Sequence, residues 1–247
     1  MHSKPKTWTL FLTLLFLLVV PAALAMTQEA SVHASTVKNG WSKDYYYVNG
    51  VKTTGWMTIK NKVYYFSKKG VVQKNKWKTR KEDGVSYYYY LGPDGAAYKA
   101  SVVKRNGVAT RLTNFKTYKI DGATYGFDLH SHACTGIWMS NKATPKLYVF
   151  TSKGLYDSKA TKSLRSVYEK YYHKPSKKTL QKVTAAFGKP LSIDESYSCI
   201  PFDYDPSYPD TVYMAVILTY PHIEISVIHN ERNGLYYLEG IFPVMER

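Results

Sequence analysis

The sequence predicts a mostly β protein in two parts. The first is an N-terminal solenoid of short aromatic β-hairpins, and the second is a C-terminal α+β domain with two helices followed by an antiparallel sheet of about four strands. Three observations carry this. An aromatic phrase recurs between residues 39 and 95, helical periodicity is confined to residues 157–188, and strand-like runs fill the remainder. Four segments follow: residues 1–25 as a signal peptide, 26–37 as a linker, 38–140 as hairpin repeats, and 141–247 as the α+β domain.

The chain starts with Lys4 and Lys6, an apolar run from Trp8 to Val20, and the small residues Ala23-Leu24-Ala25. That order is the pattern of a secretory signal peptide. An apolar run of about 13 residues is short for a membrane span, so membrane attachment would require an uncleaved signal. The expected location is outside the cell, associated with the wall, with the linker composition of residues 26–37 needing no fold. No sorting motif or hydrophobic tail is read at the C-terminus.

Gly40-Trp41 leads to Tyr45-Tyr46-Tyr47 and Asn49-Gly50. Gly55-Trp56 leads to Tyr64-Tyr65-Phe66 and Gly70, and Lys76-Trp77 leads to Tyr87-Tyr88-Tyr89-Tyr90 and Pro93-Asp94-Gly95. The glycines Gly50, Gly70 and Gly95 are expected to close successive units, at a spacing typical of stacked repeats. Runs of aromatics between Gly, Asn and Asp read as short strands joined by tight turns. A lone hairpin cannot bury such a face and is stable only when stacked on the next. Along a strand Tyr45 and Tyr47 share one face and Tyr46 takes the other. A fainter echo runs through Ile120-Asp121-Gly122, Tyr125-Gly126-Phe127-Asp128 and Gly136-Ile137-Trp138, after a stretch from Tyr98 to Phe115 in which the pattern decays.

On these motifs the chain resembles the cell-wall-binding repeat family, which includes the choline-binding and glucan-binding repeats. The resemblance covers about residues 38–100 clearly and extends to about 140. It implies a β-hairpin solenoid that binds a wall polymer (teichoic acid, peptidoglycan or glucan) through aromatic sites between hairpins. The implied ligand-binding residues are Trp41, Trp56, Tyr64, Tyr65, Trp77, Tyr87 and Tyr88. The family's choline sites use a second Trp before the paired tyrosines, and here those positions hold Asp44, Val63 and Ser86. That departure favours stacking on sugar faces over an aromatic cage for choline, whose remaining walls would be Trp56, Tyr64, Trp77 and Tyr87.

The formal net charge of +16 is concentrated where Lys60, Lys62, Lys68, Lys69, Lys74, Lys76, Lys78, Arg80 and Lys81 crowd the second and third phrases. This is either a solubilising surface or an attraction to a polyanion. With no recognition motif and an export signal, nucleic acid is not an expected partner. Asp128, His130, His132 and Cys134 alternate as zinc-type ligands would on a strand. The repeat pattern instead puts a turn after Asp128, so a polar loop and no metal or other cofactor is the expectation.

Beyond residue 141, Asp157 or Ser158 caps a helix reaching about Tyr171, with Leu164, Val167, Tyr168 and Tyr171 on one face. His173-Lys174-Pro175 breaks it. Ser176 opens a second helix carrying Leu180, Val183 and Phe187, stopped by Gly188-Lys189-Pro190. Strands are expected near 195–202, 212–220, 223–229 and 235–244, the last three as a meander. With Thr151-Ser152-Lys153-Gly154, Ser158 and Phe187-Gly188-Lys189-Pro190, this order distantly resembles β-lactamase-inhibitor-protein-like domains, which implies binding rather than catalysis.

A hydrolase in residues 141–247 is the rival reading. Cys199, His222, His229 and Asp203 supply the types for a cysteine nucleophile, and Asp194, Glu195, Asp203, Asp205 and Asp210 the carboxylates for a glycosidase. None sits in a recognisable local motif, so the chain reads as non-catalytic, either a wall binder or an anchored inhibitor or adhesin. Cys134 and Cys199 are open to two uses. Paired, they would staple the two halves, worth about 4 kcal/mol by loop entropy; unpaired, they would be free buried thiols.

Overall fold

The computed structural model describes residues 38–102, 104–105, 108–109, 114–140, 146–198 and 207–244. The signal peptide and linker expected over residues 1–37, and the candidates Cys199, Asp203 and Asp205, lie outside the described residues. The first sheet has strands β1 (Gly40–Ser42), β2 (Tyr45–Val48) and β3 (Val51–Lys52). Two-stranded antiparallel hairpins follow: β4 (Gly55–Ile59) with β5 (Lys62–Phe66), and β6 (Lys76–Glu82) with β7 (Val85–Leu91). A small pair, β8 (Lys104–Arg105) and β9 (Val108–Ala109), lies in the stretch where the repeat pattern decays. The series resumes with β10 (Lys116–Ile120) and β11 (Ala123–Phe127), then β12 (Gly136–Met139) and β13 (Leu147–Phe150).

The hairpins turn on Lys60-Asn61, Asp83-Gly84 and Asp121-Gly122, where both residues have positive φ. Such turns match the right-handed twist of the strands they join. Each hairpin from the second on then ends its outgoing strand on a buried side chain: Phe66, Leu91, Phe127 and Phe150. The chain reverses through Ser67–Gly70, Gly92–Gly95, Asp128–Ser131 and Thr151–Gly154, and bridges back to its own strand at Val72, Ala97, Ala133 and Tyr156.

Those four residues stitch the stack. Each donates its backbone N–H at 2.8 Å to a carbonyl of the preceding hairpin, at Asp44, Val63, Tyr88 and Thr124 in turn. The next residue in each case (Gln73, Tyr98, Cys134, Asp157) donates back to its own hairpin. Buried backbone N–H groups have to be paired, so the linkers are built into the solenoid. One expectation is corrected here. Gly50 lies in the β2–β3 turn, and the partners of Gly70 and Gly95 in the closing turns are Ser131 and Gly154. Ser131 adopts φ 74°, a left-handed backbone that glycine normally supplies.

The fifth hairpin joins the two halves. On one face Trp138, Tyr148 and Phe150 pack with Cys134, Phe115 and Tyr156. On the other, Met139 and Leu147 enter the core of the C-terminal domain, with Ile137 and Val149 packed against it. Cys134 is a free, buried thiol within the stack, with its pKa pushed up by burial, and is not disulfide-bonded.

Helix α1 (Ser158–Tyr171) starts at Asp157, whose carboxylate accepts from Ala160 N at 2.8 Å. Helix α2 (Thr179–Phe187) follows an N-terminal turn in which Ser176 Oγ accepts from Lys178 N at 3.1 Å, and stops at Gly188. Four strands form one antiparallel sheet in sequence order: β14 (Ser192–Tyr197), β15 (Tyr213–Thr219), β16 (Ile223–Asn230) and β17 (Leu235–Pro243). Its core of Val216, Leu218, Ile223, Ile225, Val227, Leu238 and Ile241 meets Leu164, Val183 and Phe187 from the helices. From Val216 to Thr219, β15 alternates buried and half-buried residues with the two-residue period of a strand, while Tyr213 is buried on the other face with Ile228 and Tyr237. β14 is an edge strand with all six residues exposed.

Candidate functional site

Register places each hairpin tryptophan directly across from a tyrosine: Trp41 from Tyr46, Trp56 from Tyr65, and Trp77 from Tyr90. Cross-strand partners share a face. Stacking then brings a tyrosine from the following hairpin against each indole. The result is three equivalent triads. In the first, Trp41 lies 5.3 Å from Tyr46 and 5.1 Å from Tyr64 between ring centroids. In the second, Trp56 lies 5.1 Å from Tyr65 and 4.7 Å from Tyr89. In the third, Trp77 lies 5.3 Å from Tyr90 and 4.9 Å from Tyr125. Most of these contacts are edge-on, the arrangement that the ring quadrupoles favour.

Exposure separates the members of a triad. Tyr64 and Tyr89 are buried and form the floor, whereas Trp41 is 44% exposed and Trp56 and Trp77 are half-buried. Burial raises the pKa of Tyr64, and burial with the Glu82 contact raises that of Tyr89. Both therefore act as neutral phenols. The residue across the strand from the floor tyrosine differs at each level: Met57 opposite Tyr64, Lys78 opposite Tyr89, and Tyr118 opposite Tyr125.

Five of the residues expected from sequence fall in triads: Trp41 and Tyr64 in the first, Trp56 and Tyr65 in the second, and Trp77 in the third. Tyr87 and Tyr88 do not. Tyr87 stacks on His132 at 3.9 Å, and Tyr88 packs in the cluster around Phe127. Sequence reasoning missed Tyr46, Tyr89, Tyr90 and Tyr125. Counting outward from the two-residue turns would have found the cross-strand pairs, but not the rings contributed by the next hairpin. At the positions where choline repeats carry a second Trp, Asp44 takes the ammonium of Lys74 at 2.7 Å, Val63 packs with Tyr89, and Ser86 is exposed.

Several ring faces carry the chain's own cations. Lys52 Nζ sits 4.0 Å from the Tyr45 centroid, Lys38 Nζ 4.3 Å from Tyr47, and Lys78 Nζ 4.5 Å from Tyr65. The Arg80 guanidinium lies 5.9 Å from the Trp56 ring.

A second concave region of about 720 Å³ lies where the array meets the C-terminal sheet, lined by Tyr87, Asp128, His130, His132, Trp138, His222 and Glu224 among others. β11 ends at Phe127, so residues 128–131 form a turn in which Asp128 Oδ1 accepts from His130 N and His132 N, each at 2.8 Å. His132 is held between carboxylates, Nδ1 3.2 Å from Asp128 and Nε2 3.5 Å from Glu82. Cys134 is buried under the next hairpin, so these residues do not share one face, and the turn expected after Asp128 is where they part. His222 stacks on Trp138 at 3.8 Å, and burial lowers its pKa from 6.5 to about 4, against a smaller opposing pull from Asp128. The other hydrolase candidates are dispersed: His229 stacks on Tyr236, Asp194 and Glu195 lie on the exposed edge strand, and Asp210 lines a separate cleft with Tyr208 and Arg232.

Residues 53–106 match the choline-binding repeat family. No curated protein matches the chain. Among solved structures, alternansucrase in complex with isomaltononaose aligns at 22% identity over 46% of this chain and 7% of that one, with a TM-score of 0.25. The choline-binding domain of Spr1274 from Streptococcus pneumoniae aligns at 25% identity over 26% of this chain and 98% of that one, with a TM-score of 0.21. Choline binding protein F from Streptococcus pneumoniae, with a peptidoglycan analogue present, aligns at 18% identity over 49% of this chain and 52% of that one, with a TM-score of 0.20. The chain thus spans only a small fraction of alternansucrase and about half of choline binding protein F. The matched stretch, residues 53–106, holds the β4–β5 and β6–β7 hairpins and the whole middle triad.

Proposed function

We propose that this chain is a secreted, wall-associated protein that binds a cell-wall polymer or glycan through the aromatic sites between its hairpins. The observation that carries the reading is the recurrence of one triad at three successive levels, each with a partly exposed indole against a tyrosine of the next hairpin, which is buried at the first two levels and half-buried at the third. Repeated rings on one scaffold suit a polymer, because several weak stacking contacts along one chain multiply. Teichoic acid, peptidoglycan and glucan are the candidate polymers, and the C-terminal domain is carried as a non-catalytic partner-binding unit.

The test is co-sedimentation of the chain with purified cell walls. Trp41→Ala and Trp56→Ala together should reduce the bound fraction about tenfold, the loss of two stacking contacts. Binding unchanged by both substitutions would overturn the reading.

One observation favours a second reading, a wall hydrolase. Asp128, Glu224 and the neutral His222 line a single cleft at the junction of the two halves. Release of soluble fragments from walls, abolished by Glu224→Gln, would favour it. Intact walls after prolonged incubation would leave the binding reading alone.

A further inference from the structure

The middle triad differs from the first in one respect that sets its ligand. At the first level the residue across from the floor tyrosine is Met57, and the Trp41 indole is 44% exposed. At the second level that place belongs to Lys78, whose ammonium lies 4.5 Å from the centroid of Tyr65, with the Arg80 guanidinium 5.9 Å from the ring of Trp56. A ring cluster of this kind attracts a cation through its quadrupole, and here the chain supplies the cation itself.

We infer that the middle triad is capped in cis by Lys78 and Arg80, and that this level of the array recognises oxyanions on a polymer, phosphodiester or carboxylate, rather than a quaternary ammonium. This rests on the polymer-binding reading above and names the chemistry of its ligand. A soluble ammonium entering the site must displace Lys78 from the ring and then sit beside two like charges. An oxyanion meets donors already in place. Their long side chains are held against the aromatic faces, so less side-chain freedom is lost when the anion binds.

The surrounding charges agree. Residues 38–100 carry 13 Lys and Arg against four acids. Asp44 and Asp94 are paired with Lys74 and Lys62, and Glu82 is shared among Arg80, Tyr89 and His132. Lys78, half-buried with its ammonium on the Tyr65 ring, has no carboxylate partner among the described residues, so no ion pair neutralises its charge there. Arg80 is partly engaged and acts as the second donor.

The experiment uses the full chain and three probes: choline chloride, a glycerol-phosphate polymer and a polyuronate. Affinity is read by titration at low and high salt. The first variant is Lys78→Met, which copies the Met57 environment of the first level and keeps an apolar side chain of similar length, so the stack is retained. Lys78→Arg is the rescue control. Wild type should bind at least one of the two polyanions, with affinity falling as salt rises. K78M should lose about tenfold of that affinity, K78R should retain it, and K78M/R80M should gain choline quenching of Trp56 fluorescence that wild type lacks. Preference between the two polymers identifies the oxyanion.

Saturable choline binding at Trp56 in wild type would overturn the inference, as would polyanion affinity unchanged in K78M. If wall binding depends on Trp41 and Trp56 but ignores Lys78, the aromatic reading stands and this inference falls. If neither walls nor any probe binds, both fall.

Discussion

Gly126→Ala is a direct probe of how the repeat array is joined to the C-terminal domain. Gly126 lies in β11 with ordinary extended geometry, so alanine there meets no backbone penalty and only steric contacts change. A Cβ built at this position would lie 2.6, 2.7 and 3.1 Å from three ring carbons of Phe150 on the following hairpin, all inside van der Waals contact. Phe150 is 2% exposed and boxed in by Trp138, Phe115 and Tyr156, so the ring has no free space to move into. Overpacking of this kind costs about 1–3 kcal/mol. In urea, with a slope of about 2 kcal/mol/M, that lowers the unfolding midpoint by roughly 0.5–1.5 M. Phe150→Leu removes the ring atoms in question and on its own leaves a cavity worth about 1–2 kcal/mol. The double variant should therefore be more stable than the sum of the two single losses by about 1 kcal/mol or more. A G126A protein within about 0.5 kcal/mol of wild type, or strictly additive losses, would refute the fourth-on-fifth hairpin packing and with it the joint between the two halves.

Two further outcomes are expected. His222 titrates in the folded protein at about 4, below its ordinary 6.5, so the unfolded chain takes up the proton first. Stability is therefore unaffected at neutral pH and falls as pH drops from 6.5 toward 4, by about 3 kcal/mol at most; His222→Gln should flatten that part of a stability profile measured by urea unfolding at each pH. Asp157→Ala removes the side-chain acceptor of Ala160 N at the start of α1 and should cost about 1 kcal/mol in the same assay, whereas Asp157→Ser should retain most of it.

Local chemistry made the helices legible. Asp157, the breaker at His173-Lys174-Pro175 and the stop at Gly188 act within one turn of chain, and they place the start of α1 and the ends of both helices; α2 begins at Thr179, beyond the Ser176 expected to cap it. The meander was legible for the same reason, because Pro221-His222 and residues 231–234 separate three strand-like runs that pair in order. The array was legible only where its turn residues are typical. Its fourth closing turn uses Ser131 in a left-handed conformation, so the Gly-to-Gly spacing failed there. The Thr151–Gly154 segment, read from sequence as part of the C-terminal resemblance, lies in the closing turn of the fifth hairpin.

Residue pattern alone was enough for the class of fold, the aromatic hairpins, and the positive charge of the second and third of them. Those follow from periodicity of two, from turn chemistry and from composition, all of which act over a few residues. Three features came from the packing of hairpin on hairpin: which tyrosine of the next hairpin completes each triad, that the Lys78 ammonium reaches Tyr65 of the preceding hairpin, and that one face of the fifth hairpin belongs to each half. Each depends on how one hairpin is rotated and set against the next, and that is fixed by bonds such as Ala97 N to Val63 O and by the fit of Phe150 over Gly126. Contacts of that range have no periodic trace in the chain.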